Sequence, residues 1–264
     1  SELIGISLQA LLNPKDEVLL PSPDYPLWTS TVNLCGGTPV HYRCDEQSGW
    51  IPDLNDIQQK ITPRTKALVL INPNNPTGAV YPQAFLEELG KLAREHDLLL
   101  LSDEIYDKVL YDGVVHHATA SIAHDVPCIT YGGLSKNYMA TGFRAGWMIV
   151  SDHKHIEKGF FEGLDILMSM RLCSNALAQF AIQPALEGPQ YINDLVVPEG
   201  RLFEQRNYVH QRLNDMPGIS CVLPKGAMYM FPRIDTTMYQ IKNDADFVLR
   251  FLTEEKVLLV QGSG

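Results

Sequence analysis

The sequence predicts an α/β fold: a mostly parallel sheet sandwiched by helices, followed by part of a smaller α+β domain. Three observations predict it. Helical and strand patterns alternate through the first half of the chain, and the strands are continuous apolar runs rather than alternating ones. Polar clusters, Asn72–Gly78, Asp103–Tyr106 and Ser135–Lys136, each follow a strand. In such sheets ligands bind beyond the carboxyl ends of the strands.

Taken in order, "ELIGISLQALL" reads as a helix ended by "NPKDE". "EVLL" is a short buried strand, "PLWTSTVNLCGG" a helix stopped by glycine, and "TPVHYRC" a strand. "PDLNDIQQKI" is a helix with Pro52 near its start. "KALVLI" is a strand ending at "NPNNPTG". "PQAFLEELGKLAREH" is a helix, "DLLLLSDE" a strand with acids at its end, and "PCITYGG" another strand. From about Asp152 the pattern turns helical, in "HIEKGFFEGLDILMSM", "NALAQFAIQPALEG" and "INDLVVPEGRLFEQRNYVHQRLNDM". Short strands "ISCVL" and "AMYMFPRI", a helix near Asp244–Glu255 and a strand "VLLV" close it. The boundary is expected near residue 196: a large domain over 1–195, and part of a small domain over 196–264.

The totals exclude some functions. The chain has 264 residues, 31 acidic and 21 basic, a formal net charge of −10. An acidic surface repels phosphate backbones, so no nucleic-acid partner is expected. No apolar run approaches the ~20 residues that span a bilayer, so no membrane partner is expected either. Five scattered cysteines without a C-x-x-C pair argue against a disulfide framework or a zinc site and favour the cytoplasm. Ser1 is not an initiator Met and "VLLVQGSG" ends just after a strand, so a longer parent chain is expected.

Three stretches carry chemistry. "INPNNPTG" is a rigid turn after a strand, and by itself could be only an Asn-rich turn. In "LSDEIY", Asp103 sits at a strand's carboxyl end, where a desolvated acid needs a partner; the bland alternative is a helix N-cap at Ser102 or Asp103. In "LSKNYMATGFRAGW", Lys136 stands among small residues. It is either a surface lysine or an amine set to condense with an aldehyde. One ligand suits all three. Pyridoxal phosphate asks for a lysine at its aldehyde, an acid at its pyridine nitrogen, donors at its 3'-oxygen, a ring on its face and an anion site for its phosphate. Lys136, Asp103, Asn75 with Tyr106, and Tyr25 can fill the first four places. Arg144 and the N-terminal amides of the first helix, at Ser1 and Glu2, can fill the last.

In this order and spacing, "NPNNPTG", "SDEIY" and "SKNYMATGFRAGW" resemble the fold-type I pyridoxal-phosphate aminotransferases of the aspartate aminotransferase superfamily. Within it, "ITPRTKALVLINPNNPTGAVY" and "SMRLCSN" look most like the bacterial glutamate–pyruvate (alanine) aminotransferases. The resemblance implies transamination between an amino acid and 2-oxoglutarate through an internal aldimine at Lys136. It implies catalytic roles for Lys136, Asp103 and Tyr106, cofactor contacts from Ser1, Glu2, Tyr25, Asn75, Ser135 and Arg144, and a substrate contact from Asn75. It also implies a homodimer, and no metal.

Two departures stand out. Gly133 occupies a position where many members carry a phosphate-binding serine, with Ser135 as the possible substitute. The arginine that pairs with the substrate's α-carboxylate is expected beyond Gly264, and a segment covering the site is expected before Ser1. Arg171 lies beside the position of the distal-carboxylate arginine of aspartate-specific members, and Met170 is nearer that register, which favours a small donor such as alanine. The rival readings are aspartate aminotransferase, a C–S lyase on the same fold, and a non-enzymatic pyridoxal-phosphate-binding regulator. His116, His117 and His124 read as a solvated loop rather than a metal site.

Overall fold

The structure, a computed structural model, describes residues 1–151, 156 and 158–263. Helix α1 (Glu2–Leu11) turns Ile4 and Leu8 inward one turn apart and leads into β1 (Glu17–Ser22). Helix α2 (Leu27–Leu34) buries Trp28 and Val32 on the same spacing. After β2 (Thr38–Asp45) and β3 (Ile51–Pro52), Asp53 caps α3 (Leu54–Lys60) by accepting from the amides of Asn55 and Asp56. Then come β4 (Thr65–Ile71), α4 (Gln83–Glu95), β5 (Leu99–Asp103), the short α5 (Thr119–Ile122), β6 (Cys128–Gly133) and β7 (Gly146–Ser151). The rest is α6 (Lys158–Arg171), α7 (Ala176–Gln179), α8 (Ile182–Glu187), α9 (Ile192–Leu195), α10 (Arg201–Asn214), β8 (Ile219–Ser220), β9 (Arg233–Ile234) and α11 (Asp244–Glu255).

Seven strands form one sheet in the order β3-β2-β1-β4-β5-β6-β7. The five inner strands run parallel, and the two edge strands β3 and β7 run antiparallel to their neighbours. Leu68 and Leu70 pack with Leu86 and Leu89 of α4 on one face. Ala67, Val69 and Ile71 pack with Leu8, Trp28 and Leu164 on the other. Both faces are covered, which is why the inner strands are apolar without alternation. The chain builds outward from β1 to β2 and β3, then from β4 the opposite way. At that reversal the loops part and leave a crevice at the carboxyl edge. The loops after β1, β4, β5 and β6 open there, and antiparallel β7 begins there.

Several expectations need correction. Pro52 lies on β3 rather than at the start of a helix. The edge strand β7 is an addition, its half-exposed residues giving no continuous apolar run. Positions 152–155 and 157, where the next helix was expected to begin, lie outside the described residues, and α6 is described from Lys158. The expected helix over "NALAQFAIQPALEG" divides into α7 and α8, because Pro184 has no amide for the carbonyl one turn back. The expected long helix from Ile192 divides at Val196–Gly200, where Pro198 and Gly200 interrupt it. "ISCVL" and "AMYMFPRI" pair only at Ile219–Ser220 and Arg233–Ile234. "VLLV" forms no strand: Val257–Val260 find no ladder partner among the described residues and stay exposed.

A buried cation ties α10 to the loop beyond β5. Arg206, with 5% of its side chain exposed, donates to both carboxylate oxygens of Asp112 at 2.8 and 2.9 Å and to the Pro224 carbonyl at 3.1 Å. It also lies over the rings of Tyr111 and Phe203. Its hydrogen bonds hold the Asp112 carboxyl down at about 2. Removing one partner of such a pair exposes the other to desolvation. Arg206→Ala should therefore lower unfolding free energy by about 2 kcal/mol or more, since Lys225 still reaches Asp112 at 3.1 Å. Because the Asp112 carboxyl is depressed, the pair's contribution is complete above about pH 4 and falls away as pH drops toward 2. Denaturant melts of both proteins at pH 7 would check this, and equal midpoints would refute it.

Candidate functional site

A cavity of about 670 Å³ opens at the carboxyl edge of the sheet. Every residue expected from the sequence to serve the site lines it: Ser1, Glu2, Tyr25, Asn75, Asp103, Tyr106, Ser135, Lys136 and Arg144. They come from the ends of four parallel strands, from the start of α1 and from the turn before β7.

The "INPNNPTG" turn divides its labour. Asn72 accepts from the Tyr81 amide at 2.9 Å, and Asn74 accepts from the Thr77 amide and hydroxyl at 3.1 and 2.8 Å. Those two hold the turn together. Asn75 makes no side-chain hydrogen bond among the described residues and faces the cavity. Gly78 has φ +71°, and a Cβ there would stand 2.5 Å from Pro224 Cβ, so this turn can press against the segment that follows Pro224 only as glycine.

The alternation of β5 sorts "SDE". Ser102 and Glu104 turn away from the cavity and bond to each other at 2.8 Å. Asp103 turns into it. No helix follows, so the N-cap reading does not hold. Instead the Asp103 carboxylate accepts one amide, from Ile105, at 3.3 Å, and has no ion-pair partner among the described residues. Burial pushes its carboxyl up to about 6. Tyr106, 2% exposed, bonds through its hydroxyl to that of Tyr229 at 2.5 Å. Burial first, and the Tyr229 contact second, hold its phenol well above the ordinary range, so it is a proton donor at neutral pH.

Lys136 places Nζ 5.7 Å from the centre of the Tyr106 ring. Its loop is anchored next door, where Asn137 donates to Asp107 and accepts from the Lys108 amide. Arg144, in the left-handed region at φ +51°, donates to Ser135 Oγ at 3.4 Å and to the Thr141 carbonyl at 2.8 Å. Gly133 is forced: a Cβ there would meet the Ala145 carbonyl oxygen at 2.9 Å, so a serine would push β7 away. No side chain caps the first turn of α1, which leaves its amides open, and the Glu2 carboxylate is taken by Arg171 at 2.6 Å.

The chain matches the sequence model of a family described as aminotransferase class I and II over residues 1–264. It belongs to that family. It is 56% identical over 263 residues to the glutamate-pyruvate aminotransferase AlaA of Escherichia coli (strain K12), covering 100% of this chain and 65% of that protein. It is 57% identical over 264 residues to the alanine aminotransferase of Mycobacterium tuberculosis (strain ATCC 25618 / H37Rv), covering 100% of this chain and 62% of that protein. A crystal structure of an Escherichia coli aminotransferase superposes with a TM-score of 0.97 at 56% identity, over 99% of this chain and 65% of that one. The chain thus spans just under two thirds of the length of these relatives.

Class I and II aminotransferases depend on pyridoxal phosphate, and the donor set fits it. A buried acid without a cation suits a protonated ring nitrogen. An arginine beside a hydroxyl and a helix with open first-turn amides suit a phosphate. Tyr131, Trp147, Asn175, Gln179, Ile182 and Tyr229 also line the cavity and escaped the sequence reading. Arg171 lines the cavity, whereas Met170 is 76% exposed and points elsewhere. His116 is not solvated: only 9% of its side chain is exposed, and it lies 3.7 Å from buried Glu104.

Proposed function

We propose that this chain is the cofactor-holding part of an aminotransferase that exchanges the amino group of alanine with 2-oxoglutarate. The observation that carries the reading is the meeting of Lys136, Asp103, Tyr106, Asn75 and Arg144 on one cavity. The alanine preference is supported by the names of the relatives above.

When bound, pyridoxal phosphate supplies an aldehyde for amines to condense with and a ring that accepts electrons released at the α-carbon. Lys136 would hold the aldehyde end of the group and, with its amine free, would act as the general base that moves the substrate's α-proton. Asp103 would keep the ring nitrogen protonated. Tyr106 and Asn75, which line the cavity, would donate to the 3'-oxygen, and Asn75 would meet the substrate as well. Tyr25 would cover a ring face. Arg144, Ser135 and the open amides at Ser1 and Glu2 hold the phosphate, with Ser135 standing in for the serine that Gly133 precludes.

The reading extends to assembly and place. Ile166, Met170, Leu172, Leu177 and Phe180 are exposed on α6 and α7 and the turns that follow them. They suit a homodimer, with the cavity at the subunit boundary. Residues 1–195 are read as the large domain and 196–264 as part of a small one. The five free cysteines suit the cytoplasm.

A transamination assay of the purified protein tests the proposal. A donor's second carboxylate buried without a cation is penalised, and each 1.4 kcal/mol is about tenfold in specificity. Alanine should therefore exceed aspartate in kcat/KM by at least about tenfold with 2-oxoglutarate as acceptor. Arg171, which lines the cavity, is the candidate cation for the second carboxylate of glutamate, so Arg171→Ala should impair glutamate more than alanine. Comparable rates with aspartate would overturn the alanine assignment, and pyruvate released from cystathionine without an acceptor would point to a C–S lyase.

A further inference from the structure

We propose that Tyr229 is a positioning residue for the cofactor site: its hydroxyl donates to that of Tyr106 and so commits the single Tyr106 proton to the cavity. The inference rests on the reading that Tyr106 faces the 3'-oxygen of bound pyridoxal phosphate.

The geometry is specific. The two hydroxyl oxygens stand 2.5 Å apart, and the rings meet edge to face with centroids 5.6 Å apart and planes at 84°. The partners are 123 residues apart in sequence, so the contact exists only because the fold delivers Tyr229. That delivery is stiff. The amides of Lys225 and Gly226 both donate to the Gly78 carbonyl at 2.9 Å, the Ala227 amide donates to the Val109 carbonyl at 2.9 Å, and the Tyr111 hydroxyl donates to the Ala227 carbonyl at 2.9 Å. The segment before Tyr229 is thereby fastened to the turn that carries Asn75 and to the stretch that follows Tyr106. All three donors of the 3'-oxygen region, Asn75, Tyr106 and Tyr229 behind it, belong to one hydrogen-bonded frame.

The direction of the hydroxyl bond follows from counting protons. Each phenol has one proton to donate and lone pairs to accept with. If Tyr106 gave its proton to Tyr229, it could only accept in the cavity, and an oxyanion facing it would be repelled. With Tyr229 as donor, the Tyr106 proton is free for the 3'-oxygen. Accepting a hydrogen bond also makes Tyr106 the stronger donor, since successive hydroxyl bonds polarise one another. Tyr229 is not a catalytic residue in this arrangement. It acts through Tyr106.

The consequence is a shift in a titration, not only a loss of rate. Weaker donation to the 3'-oxygen leaves more negative charge beside the Lys136 nitrogen, and that nitrogen then holds its proton to higher pH. Tyr229→Phe keeps the ring against Tyr106 and removes only the donor. In the cofactor-loaded full-length protein, the pH midpoint of the bound cofactor's visible absorbance should rise by about half to one unit, and the cofactor Kd should rise about three- to tenfold. Tyr106→Phe should raise the midpoint further, and adding Tyr229→Phe to it should move it no more, because the two act in series. A change in packing alone would not produce that pattern. Should Tyr229→Phe fail to accumulate as folded protein, Tyr229→4-aminophenylalanine, which keeps the ring and carries an N–H donor at the position of the hydroxyl, should hold the midpoint within about 0.3 unit of the parent. An unchanged midpoint in Tyr229→Phe, an equal shift in the Tyr106→Phe background, or a displaced midpoint in the folded 4-aminophenylalanine variant would overturn the inference. A midpoint unmoved by Tyr106→Phe itself would instead overturn the reading of the site.

Discussion

Lys136→Ala is expected to lower transamination by at least about 10⁴-fold, the upper range for loss of a positioned proton-transfer group, since it also removes the attachment point. Borohydride reduction of the loaded protein should leave a pyridoxyl label on the peptide containing Lys136. Geometry separates it from its neighbours. Lys108 is already engaged, donating to the Tyr138 hydroxyl at 3.0 Å and to Gln190 Oε1 at 2.5 Å. Lys225 is held by Asp112. Lys136 has neither a hydrogen-bond nor an ion-pair partner among the described residues, and it faces the Tyr106 ring across the cavity. A label on Lys108, or turnover in Lys136→Ala within about tenfold of the parent, would refute the assignment.

Why was the site so legible in the sequence? Its residues lie at the ends of consecutive strands, and strand ends are among the easiest features to read. A buried parallel strand is a short apolar run, and the first polar residues after it must sit at the carboxyl edge. "KALVLI" therefore places Asn75, "DLLLL" places Asp103, and "CITYGG" places Lys136 at one edge. Tyr229 shows the limit of that logic. It reaches Tyr106 from 123 residues away, through a segment whose course is set by the close contacts of Gly78 with Pro224 and Gly226. Nothing local in "AMYMF" says which side chain meets the site.

The errors of element placement have the same physical origin. Helical periodicity over Ile182–Glu187 and over Arg201–Asn214 is real, but Pro184 and Pro198 break hydrogen bonds that periodicity ignores. The strand reading of "VLLV" needed a partner strand, and β-structure is a property of pairs. The solvated-loop reading of His116 rests on the lack of a carboxylate or Cys at ligand spacing, yet its side chain is only 9% exposed and lies 3.7 Å from buried Glu104. Burial of a polar side chain depends on what waits inside, which composition does not record.

Asp103→Ala should retain cofactor yet lose proton transfer at the α-carbon by about 10²–10⁴-fold, the rate equivalent of the 3–5 kcal/mol that breaking a buried ion pair removes. The same residue makes a second, opposite prediction for stability. Burial raises its carboxyl from an ordinary value of 3.8 to about 6. A raised acid favours folding most when it is protonated, so its contribution is complete below about pH 4 and is lost as pH rises through 6. Above that, the cofactor-free protein carries a buried, unpaired charge that costs about 3 kcal/mol, taking about two units at 1.36 kcal/mol each. Asp103→Asn should therefore melt at a higher temperature than the parent at pH 8 without cofactor, and the gap should close toward pH 4. Loading the parent with pyridoxal phosphate should narrow the gap at pH 8 as well, because the protonated ring nitrogen supplies the missing cation. Near-normal turnover in Asp103→Ala would contradict the role. A variant Asp103→Asn no more stable than the parent at pH 8 would show that the acid carries no strain, and that its place in the cavity is set by packing rather than by the charge it awaits.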